Sequence, residues 1–323
     1  MMNKAAIALC LAFLATPAMA DEIWITNEKD DTISVIDIES LEVTRTIKVG
    51  ERPRGITFSS DFSQLYLCAS DSDAVQVIDP ESGTLLHDLP SGEDPEQFVL
   101  HPDNRQLFIA NEDDAVATIV DVTSRQVVSQ INVGVEPEGM AVSHDGKTAI
   151  VTSETTNMAH WIDAESHELF ANTLVDARPR HAEFSPDDRQ LWVSSEIGGT
   201  IAVIDRQTQA PLQRISFKIP GIQAEKIQPV GFEFSRDGRY VFAALGPANH
   251  VAVIDAQTFE VVKYIMTGKR VWHMAQSRTG DKLFTTNGVS GDVTVIDTAS
   301  LEAVKSIKVG RYPWGAALRV TDP

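Results

Sequence analysis

Three features of the 323-residue sequence predict an all-β fold, a ring of seven four-stranded blades. The aspartate of a Val-Ile-Asp element recurs as Asp37, Asp79, Asp121, Asp163, Asp205, Asp255 and Asp297, 42 residues apart except for one step of 50 between Asp205 and Asp255. Each period holds four short strand-like runs separated by turns, the content of one propeller blade. The ends are out of phase with the repeat: the exported chain would begin on a blade's second strand, at residues 23–27, and end on a lone first strand, at residues 314–320. That last strand is expected to pair into the N-terminal blade. The result is a closed seven-bladed β-propeller, without the open edges that invite aggregation.

The second period shows the order of elements. Residues 54–58 alternate and stop at the polar turn Ser59-Ser60-Asp61. Residues 64–69 are apolar and aromatic, residues 74–79 alternate again, and residues 84–89 close the unit. The first turn recurs as Pro102-Asp103-Asn104, His144-Asp145-Gly146, Pro186-Asp187-Asp188 and Arg236-Asp237-Gly238, residue types that accept tight-turn backbone. The repeated aspartates are read as structural, bonding backbone amides in the turn after the third strand.

Residues 1–20 read as a signal peptide: Lys4 is the positive start, residues 5–16 are apolar but too short to span a bilayer, and Ala18-Met19-Ala20 is a small-x-small cleavage site. Cleavage after Ala20 would leave residues 21–323 as one exported, periplasmic domain. Cys10 lies inside the apolar stretch, so Cys68 would be the single thiol of the mature chain, leaving no internal disulfide. The net charge of −19 disfavours nucleic acid and anionic membranes, both of which need a basic face. No membrane insertion is expected, and the protein is expected to be a monomer.

The strand motifs resemble the YVTN-repeat propeller family. The namesake tetrad appears as Trp24-Ile25-Thr26-Asn27, Phe108-Ile109-Ala110-Asn111 and Phe284-Thr285-Thr286-Asn287. A Gly-x-x-Pro-x-Gly element is intact at residues 50–55, 134–139 and 310–315. The resemblance covers the whole mature chain, and within the family it is closest to the PQQ-dependent catabolism-associated β-propeller proteins. That implies a place near quinoprotein alcohol oxidation in the periplasm, with PQQ as a cofactor of interest. It supplies no catalytic residues. The Gly-His and Trp-Asp signals of WD40 repeats are absent.

Functional information is expected where the repeat breaks its own pattern. At the start of each inner strand the residue after the repeat proline is Arg54, Glu96, Glu138, Arg180, Val230, Trp272 or Trp314, and the next is Gly55, Gln97, Gly139, His181, Gly231, His273 or Gly315. These positions should ring the mouth of the central channel. His181 and His273 replace a small residue and stand two blades apart, about 103° around a seven-fold ring. The candidate ligand-binding set is Arg52, Arg54, Glu96, Glu138, Arg178, Arg180, His181, Arg270, Trp272, His273 and Trp314, with His181 and His273 as the catalytic candidates if there is catalysis. Arginine grips carboxylates in bidentate fashion, and tryptophan stacks on planar ligands. The competing reading is that the arginines pair with Glu96 and Glu138 across the ring and the histidines bond neighbouring loops. The eight extra residues, near 219–226, are either a lid over the channel or a neutral insertion.

The leading functional expectation is a non-catalytic accessory protein that binds a small anionic planar molecule, PQQ by resemblance, or docks a periplasmic dehydrogenase or cytochrome. Propeller lactonases, which place His, Arg and Glu at the channel mouth, make a hydrolase the first alternative. A tetrapyrrole binder using a histidine as axial ligand and a pure interaction platform are the others. Covalent c-type haem, structural zinc, a serine-hydrolase elbow and a phosphate loop have no motif here, and no metal site is expected.

Overall fold

The computed structural model describes residues 20–321, so the signal-peptide reading of residues 1–19 lies outside the described residues. Seven antiparallel sheets of four strands form the ring. The first blade has the order β28-β1-β2-β3, where β1 is Glu22–Asn27, β2 is Thr32–Asp37, β3 is Glu42–Lys48 and β28 is Pro313–Arg319. The C-terminal strand is therefore the inner strand of the N-terminal blade, pairing Ile23 with Leu318 and Ile25 with Ala316. The other inner strands are β4 (Pro53–Phe58), β8 (Pro95–Leu100), β12 (Pro137–Val142), β16 (Pro179–Phe184), β20 (Phe232–Phe234) and β24 (Val271–Gln276).

Burial follows position in the blade. Second strands such as β5 (Leu65–Ala69) are buried throughout, because a blade packs on both faces, so they read as continuous apolar runs. Outermost strands are mostly exposed, with one position buried in each: Ile47, Leu89, Ile131, Thr173, Ile215, Ile265 and Ile307. Apolar clusters fill all seven blade junctions. The junction that closes the ring unites Ile23 and Ile25 with Phe284 and Val295. All seven repeat aspartates accept a backbone N–H three residues on, from Asp37 with Ser40 at 2.7 Å to Asp297 with Ser300 at 2.7 Å.

The extra residues do not cover the channel. Ile219 and Ile227 are buried in the junction of blades 5 and 6 with Trp192 and Phe232, and Ile222 packs against the same cluster. The insertion is a surface loop anchored at both ends, with Gly221 at its open tip. Among the described residues no helix is long and apolar enough to cross a membrane.

Candidate functional site in the central channel

The Pro-x-Gly segment does not run as regular strand. In β4, β8, β12, β16, β24 and β28 the pairing with the neighbouring strand shifts register just after its first residue, as at Pro53/Ile56 and Pro179/His181. Such bulges re-aim side chains. The residue before each of these segments is left-handed: Arg52 (φ 52°), Asp94 (φ 47°), Glu136 (φ 57°), Arg178 (φ 61°), Arg270 (φ 59°) and Tyr312 (φ 53°). Non-glycine residues rarely adopt this backbone. Here it recurs in six blades and sets three of the candidate arginines at the channel end.

Those arginines are paired. Arg52 reaches Glu96 at 2.6 Å and Asp71 at 2.8 Å, and also Asp94. Arg54 pairs with Glu96 and lies 3.6 Å from Glu28. Arg180 pairs with Glu154 and approaches Glu138 at 3.1 Å, while Arg178 reaches Glu154 at 2.6 Å. Arg270 reaches Glu196 at 2.7 Å and donates to Gln228 at 3.0 Å. The two acids named from sequence are thus partners of these arginines. Of the remaining partners, Glu28, Asp71, Glu154 and Glu196 come from the loops between second and third strands, and Asp94 stands just before β8. The outcome is a layer of ion pairs at one end of the channel.

The charges in this layer are tuned by each other. Burial pushes the Glu96 carboxyl up, but Arg54 and Arg52 outweigh burial and hold it below its usual range. Glu138 goes the other way: burial raises it well above the carboxylate range despite Arg180, and neither of its oxygens accepts a hydrogen bond. Glu112 is pushed up to about 8 by burial and by the charge of Glu96, to which it is hydrogen-bonded. Asp94, Glu96 and Glu112 converge within 4.8 Å, but Arg52 already pairs with two of them. Glu138 and the two histidines do not join that group.

The tryptophans are engaged too. Arg270 lies 4.2 Å and Arg180 5.5 Å from the Trp272 ring. Trp314 is 2% exposed, with Arg54 at 5.4 Å and the His273 ring at 4.2 Å. The two histidines lie one layer beneath the ion pairs rather than at the rim. Their ring centroids are 5.7 Å apart, and His181 also meets Phe232 at 4.8 Å. Burial lowers both imidazoles, His181 to about 4 and His273 well below its ordinary value, the latter also through His181, Arg180 and Arg54. Both are neutral at pH 7.

Beneath this layer lies a cavity of about 380 Å³, lined by Gln97, Met140, His181, Phe232, His273 and Trp314 among others, and reaching Ser60 and Asn104 at the opposite end. Three side chains that line it carry a nitrogen buried without a hydrogen-bond partner in the protein: Gln97 Nε2, His181 Nδ1 and Trp314 Nε1. Buried polar groups are normally paired, so three orphans around one cavity mark a place where a ligand supplies the partners. Gln97 stands in the line of residues that includes His181 and was open to the same argument. What the sequence did not show is that the cavity lies behind the mouth.

A second cavity of about 300 Å³ shares His181, Phe232 and Met274 with the first and adds Glu183 and Glu233. Burial and the neighbouring Glu233 raise Glu183 well above the carboxylate range; burial pushes Glu233 to about 7 against Arg236 and Gln276. Neither acid was singled out from sequence, although both break the pattern. Their counterparts in the other blades are Thr57, Val99, Ala141, Ala275 and Ala317.

Two family models match parts of the chain: a YNCE-like beta-propeller over residues 229–321 and a cytochrome D1 heme domain over residues 68–183. No curated protein matches. Among solved structures, hydrazine synthase of Kuenenia stuttgartiensis is similar at 18% identity and a TM-score of 0.78, covering 90% of this chain and 99% of that one. The dihydro-heme d1 dehydrogenase NirN, in complex with DHE, is similar at 17% identity and a TM-score of 0.69, covering 94% and 76%. A candidate 6-phosphogluconolactonase from Bacteroides uniformis is similar at 16% identity and a TM-score of 0.80, covering 93% and 100%. These likenesses are to the fold. They confirm the propeller and leave the ligand to the site itself.

Proposed function

We propose that this chain is a non-catalytic binding protein that holds a flat, conjugated, carbonyl-bearing molecule in its central channel. The observation that carries this reading is the set of three unpartnered nitrogens around one cavity. Trp314 Nε1 and Gln97 Nε2 are donors only, so the ligand must present acceptors; His181 Nδ1 completes the set. The flat walls, Trp314 and Phe232, suit a conjugated ring. A quinone has this chemistry, and the YVTN resemblance makes PQQ the specific candidate, with an accessory role in quinoprotein alcohol oxidation. The contacts differ from those expected from sequence. Carbonyl oxygens on Gln97 and Trp314 replace carboxylates on arginines, because the arginines already hold carboxylates.

The test is a titration of PQQ followed by tryptophan fluorescence and melting temperature. Binding in the wild type that is weakened at least about tenfold by Gln97→Leu and by Trp314→Phe supports the reading. No signal from PQQ or from a simple naphthoquinone sinks it.

A second reading is favoured by one observation, the match of residues 68–183, which include His181, to the cytochrome D1 heme domain. A neutral imidazole with a free Nδ1 is the form that binds a metal, and such a metal centre would supply redox or ligand-binding chemistry. His181 would hold it, with Trp314 and Phe232 packing on the ring. A Soret band on adding haem, lost in His181→Ala, would move this reading to the front.

A further inference from the structure

Glu183 and Glu233 occupy the same position on adjacent inner strands, β16 and β20, where five other blades carry threonine, valine or alanine. Both line the second cavity, beside His181, and Glu233 Oε2 is buried with no hydrogen-bond partner in the protein. The carboxyls therefore stand beside the cavity lined by Gln97, His181 and Trp314, joined to it through His181, Phe232 and Met274.

We propose that Glu183 and Glu233 set the charge class of the ligand: a flat carbonyl-bearing molecule whose edge toward blades 5 and 6 carries a cationic or N–H group, not a carboxylate. This rests on the channel being the ligand site. An ammonium or N–H edge gives Glu233 Oε2 the donor it lacks. A carboxylate edge places like charge against Glu233 once that group ionises, in a poorly solvated channel where such a pair costs more than in water. The groups facing the pair are His144, His181, Met274 and Phe232 in the shared cavity, and Arg236 and Gln276 beside Glu233. His181 is neutral at pH 7, and the Arg236 charge acts on both acids without outweighing their burial, so the pair's own ionisation sets how the local charge changes with pH. Burial holds Glu233 near 7, so repulsion of an anion grows between pH 6 and pH 8.

The proposal bears on PQQ directly. A molecule with several carboxylates must turn them away from blades 5 and 6 or bind more weakly as pH rises.

Three matched quinones test it: 2-(aminomethyl)anthraquinone, anthraquinone-2-carboxylate and uncharged 2-(hydroxymethyl)anthraquinone. At pH 8 the amine should bind at least about tenfold more tightly than the carboxylate, with the alcohol between them. The gap should narrow by pH 5.5 in the wild type and close in the Glu183→Gln, Glu233→Gln double variant. A carboxylate that binds as tightly as the amine at pH 8, or a gap that survives the double variant, overturns the proposal. The alcohol separates the two claims. If it binds and the charge order is absent, the site stands and the charge selection falls; if none of the three binds, both fall. Should the double variant not fold, the wild-type pH dependence of the gap still decides.

Discussion

His181 and His273 stand on blades 5 and 7, yet their rings lie 5.7 Å apart because the blade between them presents Gly231. A Cβ on Gly231 would sit 2.5 Å from His273 Nδ1 and 2.7 Å from the Trp272 carbonyl oxygen. The same crowding applies at Gly315, whose Cβ would meet the Arg54 carbonyl oxygen at 2.5 Å. These glycines are therefore not turn devices. They let adjacent inner strands approach closely enough for side chains from alternate blades to meet at the axis.

Gly231→Ala should accordingly destabilise the protein by about 1–3 kcal/mol, the usual cost of overpacking. His273→Ala in the same chain should recover part of that loss, because it removes one of the two clashes and leaves the backbone clash in place. Urea unfolding of the two single variants and the double variant measures the coupling. Additive losses would show that the ring contact does not govern the close approach.

The pH dependence of stability should show two opposed limbs. His181 has its folded value lowered to about 4, so the unfolded chain binds a proton first as pH falls. Its contribution is full above pH 6.5 and is lost down to pH 4, to the extent of about 3 kcal/mol. Glu233 is raised to about 7, so its contribution is full below pH 4.5 and is lost as pH rises through 7. Glu233→Gln should make the alkaline limb shallower, leaving the share carried by Glu112, Glu138 and Glu183, and His181→Phe should do the same to the acid limb, which His273 shares. Denaturation midpoints measured from pH 4 to pH 8 give the comparison, and a variant that shifts the curve uniformly would contradict the assignment.

How much of this was legible in the sequence depends on where a residue's partners come from. The propeller was legible because the 42-residue period and the out-of-phase ends are properties of the chain itself. His181 and His273 were legible as exceptions in an aligned column. Glu183 and Glu233 were equally visible two positions further along, but attention to the rim passed over the channel wall. Pairing of the arginines with Glu96 and Glu138 was one of two readings the sequence left open; the pairing of Arg180 with Glu154 was not legible, because it depends on a left-handed backbone at Arg178 and on a bulge that turns the side chain inward. The orphan nitrogens were not legible at all. An unpaired group is defined by the whole set of its neighbours.

Loss of a buried member of the ion-pair layer should be costly, and loss of an exposed pair should not. Arg180→Ala strands Glu154 and Glu138 in a poorly solvated layer, where breaking a buried pair costs about 3–5 kcal/mol. Arg311 pairs with Asp30 at the surface, with 72% of its side chain exposed, and Arg311→Ala should cost less than about 1 kcal/mol. Arg180→Met should recover little, because the acids remain. Chemical denaturation of the three variants tests the contrast, and equal losses at Arg180 and Arg311 would mean the layer is solvated.

Ring closure should be the most sensitive single feature of the fold. Strand β28 is the inner strand of the first blade, bonded along β1, and Ala316 and Leu318 pack into the cluster with Ile23 and Phe284. Ending the chain after Tyr312 removes that strand and leaves the backbone of β1 as an open edge beside an uncovered apolar junction. An edge of this kind pairs with other chains. The truncated protein should aggregate on refolding, while the intact chain stays dispersed. A synthetic peptide of residues 313–321 added in trans should restore dispersion, because pairing with β1 needs strand residues and not chain continuity. Light scattering during refolding reads both arms, and Trp314→Phe within the peptide separates closure from the ligand contact that the same strand carries. A truncated chain that refolds without aggregating would show that six complete blades and a three-stranded remnant suffice.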